Sequence, residues 1–238
     1  MTLAPCLLVT RASVGRPKHP GSLANCSNPG YVYPMTRRMK EPAYLAEQVK
    51  HRFDQHIKPI NDYVDEISTP DLWVPYVAPI HGGINARVLS VLRDPGPATR
   101  KDKGSGFISI ENDDPTAERQ CARFASVGVS ACDILPWNAY PWFINRAPKA
   151  AELEAGVDTI LEMLHLAPAV QVVLLQGGDA LRSWHRVLRR APNTANELTV
   201  ISTYHPGAQA LWHRDPAERI RRATHQVDAY QHLAAVLA

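Results

Sequence analysis

Ala86-Arg87-Val88-Leu89-Ser90-Val91-Leu92, running into Arg93-Asp94-Pro95-Gly96-Pro97, is the stretch whose reading decides the fold. A short apolar run rich in β-branched and leucine residues stops at an acid followed by Pro-Gly-Pro. That is the pattern of a buried strand whose carboxyl end presents one carboxylate on a rigid turn. In open α/β sheets, ligands gather at such strand ends. Asp before Pro and Gly also begins ordinary surface turns, so Asp94 taken alone leaves both readings open.

Downstream, residues 98–106 form a polar loop carrying Arg100, Lys101 and Lys103 among glycines, the composition of a mobile or ligand-facing segment. Phe107-Ile108-Ser109-Ile110 leads to Asp113-Asp114-Pro115-Thr116, where an acid before Pro at the first helical position predicts a helix to about residue 125. A second strand is predicted over 131–135, running into Pro136-Trp137-Asn138. A helix over 150–165 then precedes a third strand over 170–175, which ends at Gln176-Gly177-Gly178-Asp179. A helix over 180–190 and a fourth strand over 198–203 follow, with Tyr204-His205-Pro206-Gly207 directly after that strand and a last helix over 216–236. Strands alternating with helices predict an α/β fold, a three-layer α/β/α sandwich around a central four-stranded, mostly parallel sheet covered on both faces. Four strand ends then point one way, carrying Asp94, Asn138, Gly177-Gly178 and His205.

Upstream, Trp73 to Ile80 mixes aromatics, valines and prolines, as suits an irregular approach to the sheet. Leu45, Val49, Phe53 and Ile57 recur at helical spacing and predict one amphipathic helix to about residue 56, with Pro59 near its end and the stripe packed in the core. Residues 1–38 mix Pro, Gly, Ser and Asn without sustained periodicity and read as a loose extension, with Met35 an alternative start; 39–238 is the folded domain. Arg37, Arg38 and Lys40 suit either contact with a polyanion or a solvated charge cluster.

The chain of 238 residues is 45% hydrophobic and 21% charged, which permits one sizeable core. A net charge of +3 permits a polyanionic partner without demanding one. Cys6, Cys26, Cys121 and Cys132 form no C-x-x-C pair, so neither a zinc ribbon nor a compact disulfide framework is indicated, and free thiols are expected. No apolar run approaches the roughly 20 residues needed to cross a bilayer. The short apolar Ala4 to Val9 lacks a basic region before it, and a cytoplasmic, monomeric protein is expected.

Taken together, these segments resemble the uracil-DNA glycosylase superfamily. Leu92-Arg93-Asp94-Pro95-Gly96 looks like the first motif of that family, after strand one, and His205-Pro206-Gly207 looks like its His-Pro-Ser motif, after strand four. The resemblance covers roughly residues 73–236 in order. It implies Asp94 as the carboxylate that stabilises an oxocarbenium-like sugar and orients water, and a neutral His205 as donor to the base carbonyl that gains charge. It places Asn138 as the amide that reads the base edge, Phe107 as the ring on which an extruded base stacks, and Arg93, Pro95 and Gly96 around the base. DNA contacts are expected from Gly177 and Gly178 amides, from Arg100, Lys101 and Lys103, and from Gly207, Gln209 and Leu211 in the loop after His205, the last two as candidate wedges.

The departures from the family pattern carry their own implications. Gly96 stands where the stringent uracil enzymes keep a tyrosine against 5-substituted pyrimidines, so a larger base is admitted. Gly207 replaces a serine, and Arg93 is an unusual cation beside the base. The cysteine spacing does not match relatives that hold an iron–sulfur cluster, and no cofactor or metal is expected. The implied activity is hydrolysis of the N-glycosidic bond of uracil or another modified pyrimidine in DNA. Removal of bulky hypermodified pyrimidines from phage DNA, and a DNA-binding protein without catalysis, are the alternatives.

Overall fold

The computed structural model describes residues 36–238. Met35, Cys6, Cys26 and all but the last three residues of the expected extension lie outside that range. Four strands, β2 (Val88–Leu92), β4 (Ile134–Asn138), β5 (Val172–Gln176) and β6 (Thr199–Thr203), form one parallel sheet in the order β4-β2-β5-β6. Two short strands, β1 (Tyr76–Val77) and β3 (Phe107–Ile108), pair in parallel beside it. The sheet is four-stranded as expected, and all parallel.

Alternate residues of each strand bury into opposite layers, which is why the strands read as unbroken apolar runs. Leu89, Val91, Leu135, Trp137, Val173 and Leu175 meet helices α2 (Lys58–Ile67), α4 (Ala150–Leu166) and α5 (Gly178–Arg190). Val88, Ile134, Val172, Leu174 and Ile201 meet α3 (Pro115–Ser126) and α8 (Pro216–Leu237). Each helix covers a face that would otherwise leave its strands' side chains in water.

The helix expected to run to about residue 56 is divided in two. Helix α1 (Pro42–Lys50) buries Tyr44 and Gln48, one register away from the apolar stripe, and leaves Val49 41% exposed. A polar anchor sets this rotation: Gln48 Oε1 accepts the Ile80 N–H at 3.1 Å. Pro59 sits in the first turn of α2, where its missing N–H costs nothing, so it starts a helix and does not end one. Buried Asn61 ties that helix down, donating to Arg52 O and Val77 O and accepting the Val77 N–H.

The second expected strand also shifts, from 131–135 to β4. Ser130 and Asp133 form a reciprocal capping box that winds residues Ala131–Asp133 into a 3-10 turn. Pro136 is accommodated because β4 is an edge strand, where a missing N–H breaks no ladder bond. The helix start at Asp114 behaves as the sequence predicts: its carboxylate accepts the Thr116 and Ala117 N–H groups at 2.8 and 3.0 Å. Two short helices, α6 (Pro192–Asn196) and α7 (Ala208–Leu211), complete the chain. Arg37 and Arg38, on the expected boundary of the extension, are docked: Arg37 pairs with Glu118 and Asp113, and Arg38 with Glu111.

No helix among the described residues is long and apolar enough to cross a membrane.

Candidate active site

The carboxyl ends of the sheet open into a cleft of about 780 Å³, inside the 300–1,000 Å³ range usual for small-molecule sites. Its walls include Arg93, Asp94, Pro95, Gly96, Asn138, Gly177, Gly178, His205, Gly207 and Gln209, so most sequence-predicted site residues meet in one place. Parallel strands force this convergence, because each crossover carries the chain back to the opposite end of the sheet before its next strand begins.

Asp94 is held by its neighbours. After β4, the Ala139 N–H donates to Leu92 O at 2.8 Å and the Tyr140 N–H to Arg93 O at 3.0 Å, clamping the backbone that leads into the turn. The Asp94 side chain is 3% exposed, and its Oδ1 accepts from Arg93 Nε at 2.5 Å. Its Oδ2 is buried and makes no hydrogen bond of full geometry among the described residues, although the backbone N–H groups of Asn145 and Arg146 lie close enough to the carboxylate to favour its charged form. Burial raises the carboxyl pKa above its ordinary value, while the Arg93 guanidinium and then the backbone N–H groups of Asn145 and Arg146 work in the opposite sense.

Asn138, the last residue of β4, lies beside Leu92 and is 2% exposed. Its Nδ2 is a buried donor without a partner among the described residues. A buried polar atom left unpaired costs about 1–3 kcal/mol, so these two atoms are poised for a ligand that would satisfy them.

His205 supplies a donor of defined position. Its Nδ1 accepts the Gly207 N–H at 2.9 Å, which puts the proton of the neutral imidazole on Nε2. Burial, and then the nearby Arg93 charge, push its pKa down to about 4, so the ring is neutral at physiological pH. Two glycines make room for it. A Cβ on Gly177, whose φ is +102°, would lie 3.3 Å from His205 Cβ, and a Cβ on Gly207 would lie 2.9 Å from Nδ1. Gly207→Ser is therefore expected to push the ring toward solvent and raise the His205 pKa from about 4 toward 6.5, as read by NMR titration of the imidazole. An unmoved pKa would mean that the ring tolerates the added carbon in place.

Below the cleft runs a buried polar chain that sequence reasoning missed. Tyr230 Oη donates to Gln176 Oε1 at 2.8 Å, and Gln176 and Gln120 amides both donate to Ser90 Oγ, at 2.8 and 3.1 Å. Gln120 and Gln176 line the cleft. The available signal was a polar residue at Ser90 and at Gln176 inside otherwise apolar strand runs, both on the α3/α8 face by the two-residue period. Arg119 and Asn145 also line the cleft unforeseen, and Asn145 adopts a left-handed φ of 52°.

Other expected contacts lie elsewhere. Phe107 is not a wall of the cleft; it is 2% exposed and packs with Met39, Tyr44 and Ala78, its ring 6.3 Å from that of Tyr76. Pairing of β3 with β1 aims it there. The Gly177 N–H is already spent on Thr203 O at 2.8 Å and is not free for a phosphate; Gly178 begins α5, which has no side-chain cap. Arg100 is engaged by Asp102 at 2.6 and 2.7 Å and lies over the Phe143 ring, and Lys101 lies over Tyr76. Neither these nor Lys103 lines the cleft. Leu211 is half-buried outside it, whereas Gln209 is exposed on its wall.

No protein-family model matches this chain, and no curated protein matches it. Among the described residues no group of three or more His, Cys, Asp or Glu is placed to hold a metal ion; Cys121 is a buried free thiol, whereas Cys132 is disulfide-bonded, against the expectation of free thiols.

Proposed function

We propose that the protein is a DNA glycosylase that hydrolyses the N-glycosidic bond of uracil or another modified pyrimidine flipped into the cleft. The observation that carries this reading is the meeting in one cleft of a buried carboxylate oxygen, Asp94 Oδ2, and a buried amide donor, Asn138 Nδ2, neither in a hydrogen bond of full geometry, with the Nε2–H of a neutral His205. The resemblance of the two flanking motifs to the uracil-DNA glycosylase superfamily points the same way.

The chemistry needs an anion near the sugar and donors near the base. Arg93 fixes Oδ1, so Oδ2 is the atom available to orient a water and face the sugar cation. The C1′–N bond breaks with its electron pair going to the base. The water oxygen bonds to C1′, and the water's proton neutralises the departing base. His205 and Asn138 donate to the base as it gains charge, and a neutral imidazole does so without a proton that burial would disfavour.

A second reading, release of bulky hypermodified pyrimidines from phage DNA, is favoured by Gly96. A Cβ there meets nothing within 4 Å, so the wall is open where a side chain would narrow it. Its extended backbone, φ −80° and ψ 168°, accepts any residue. Gly96→Tyr is expected to fold normally and to shift selectivity toward unsubstituted uracil over 5-substituted pyrimidines by roughly 10- to 100-fold, measured as the ratio of kcat/KM values. An unchanged ratio would remove Gly96 as the determinant.

The test of the function is a screen for abasic sites in duplexes carrying different modified pyrimidines, and in phage DNA with natural or hypermodified bases. Release that disappears in Asp94→Asn, His205→Ala and Asn138→Ala supports the assignment. Salt-dependent DNA binding with no abasic product under any condition would overturn it in favour of a non-catalytic DNA-binding protein.

A further inference from the structure

Trp212 is 64% exposed, whereas Trp137 and Trp184 are 0% and 2% exposed in the core. It directly follows α7, whose residues Ala208, Gln209 and Ala210 line the cleft, so its backbone lies within one helical turn of the cleft wall. Its backbone is fixed although its ring is free. The Trp212 N–H donates to Ala208 O at 3.1 Å and to Gln209 O at 3.3 Å, and its carbonyl accepts from Arg222 Nη1 at 3.1 Å. Arg222 is itself held by Glu218 and by Ala210 O, and lies over the Tyr204 ring.

The segment that follows carries more arginine than acid. Arg214 and Arg219 are exposed and form no ion pair among the described residues; the nearby acids are occupied, Asp215 in capping α8 and Glu218 in pairing with Arg221 and Arg222. The apolar surface is not continuous. Ile220, 69% exposed, is two residues from Arg222 in α8 and so lies on a different helix face. A solvent-facing indole on a fixed backbone, with exposed guanidinium groups on the segment that follows it, is the pattern that binds unpaired bases and their phosphates, whereas a protein-docking patch needs contiguous apolar area.

We propose that Trp212, with Arg214 and Arg219 on the segment that follows it, is a platform on which an unpaired base of single-stranded DNA stacks beside the cleft. This rests on the DNA-directed reading of the cleft and adds the form of the strand that is engaged. Stacking on an aromatic face is insensitive to base identity, so the platform grips the strand next to the cleft without selecting its sequence.

Fluorescence titration of the full chain tests this, using an unmodified single-stranded oligonucleotide, its duplex, and the variants Trp212→Phe and Trp212→Ala. The difference between wild-type and Trp212→Phe emission isolates this indole from the other four tryptophans. Single-stranded DNA is expected to quench the Trp212 signal saturably and the duplex to quench it less. Trp212→Ala is expected to weaken single-strand affinity about tenfold, with Trp212→Phe retaining most of it. Single-strand binding that leaves the Trp212 signal and the Trp212→Ala affinity unchanged overturns the platform alone, with base release and the cleft reading intact. Absence of binding to either DNA form overturns both. A Trp212 signal that changes with protein concentration in the absence of DNA overturns the platform in favour of a contact between copies of this chain.

Discussion

Asp94→Asn is expected to lower base release about 10³-fold without loss of stability. The substitution keeps the shape of the side chain and removes only the charge that, in the proposed reaction, faces the sugar cation and orients water. Stability responds in the opposite direction, and its sign follows from the pKa. Burial raises the folded-state pKa of Asp94 above the ordinary 3.8, so folding disfavours the ionised form. The native state is penalised progressively as pH rises from 3.8 through the raised value, and at neutral pH the penalty is fully present. Asparagine does not carry that penalty, which offsets the weaker bond to Arg93. Single-turnover abasic-site formation and thermal melting at pH 7 measure the two effects. Release near the wild-type rate would remove Asp94 from the chemistry, and a collapse in melting temperature would make it structural.

Stability is expected to fall by about 3 kcal/mol between pH 7 and pH 4.5 through His81 alone, with a further loss from His205. His81, in the loop before β2, is fully buried between the segment after β3 and the turn before β4, its Nδ1 bonded to Ala131 O at 3.3 Å and its Nε2 accepting the Ile110 N–H at 3.4 Å. Both ring nitrogens are used in the neutral form, and desolvation pushes its pKa down to about 3. The unfolded chain takes up a proton below about 6.5, whereas the native histidines do not until about 4 at His205 and about 3 at His81. Stability is therefore complete above pH 6.5 and is lost as pH falls toward those lower values. Urea midpoints at pH 7 and 4.5 measure this. His81→Gln, which keeps a neutral donor and acceptor, is expected to lose most of the slope, and an equal midpoint at both pH values would refute the account. His205 stays neutral above about pH 5, so base release should show no limb from this residue between pH 5 and 8.

Where the sequence reading and the structure differ, one kind of force accounts for the difference. Leu45 and Val49 looked like the buried stripe of α1, yet a single side-chain bond from Gln48 to the Ile80 amide turned the helix by one register. The hydrophobic period cannot register such a bond, because its partner lies 32 residues away. Pro59 read as a stop because residues 51–57 kept the helical spacing, whereas the Asn61 bonds to Arg52 and Val77 reward a fresh helix. Phe107 carried the right residue type beside the right motif, but strand pairing of β3 with β1 decided which way its ring points.

Local chemistry was enough to determine the parallel α/β sandwich, the Asp114 cap, and the delivery of Asp94, Asn138 and His205 to one edge of the sheet. Each of these depends on strand and helix periodicity and on turn and cap residues, which are properties of residues near one another in the chain. Tertiary structure alone decided the rest. It left Asp94 Oδ2 and Asn138 Nδ2 without a hydrogen bond of full geometry, committed the Gly177 amide to Thr203, set the His205 tautomer through Gly207, and exposed Trp212 beside the cleft. Those outcomes depend on burial and on pairing between distant groups, and the free energy of a polar atom is defined only once its surroundings are.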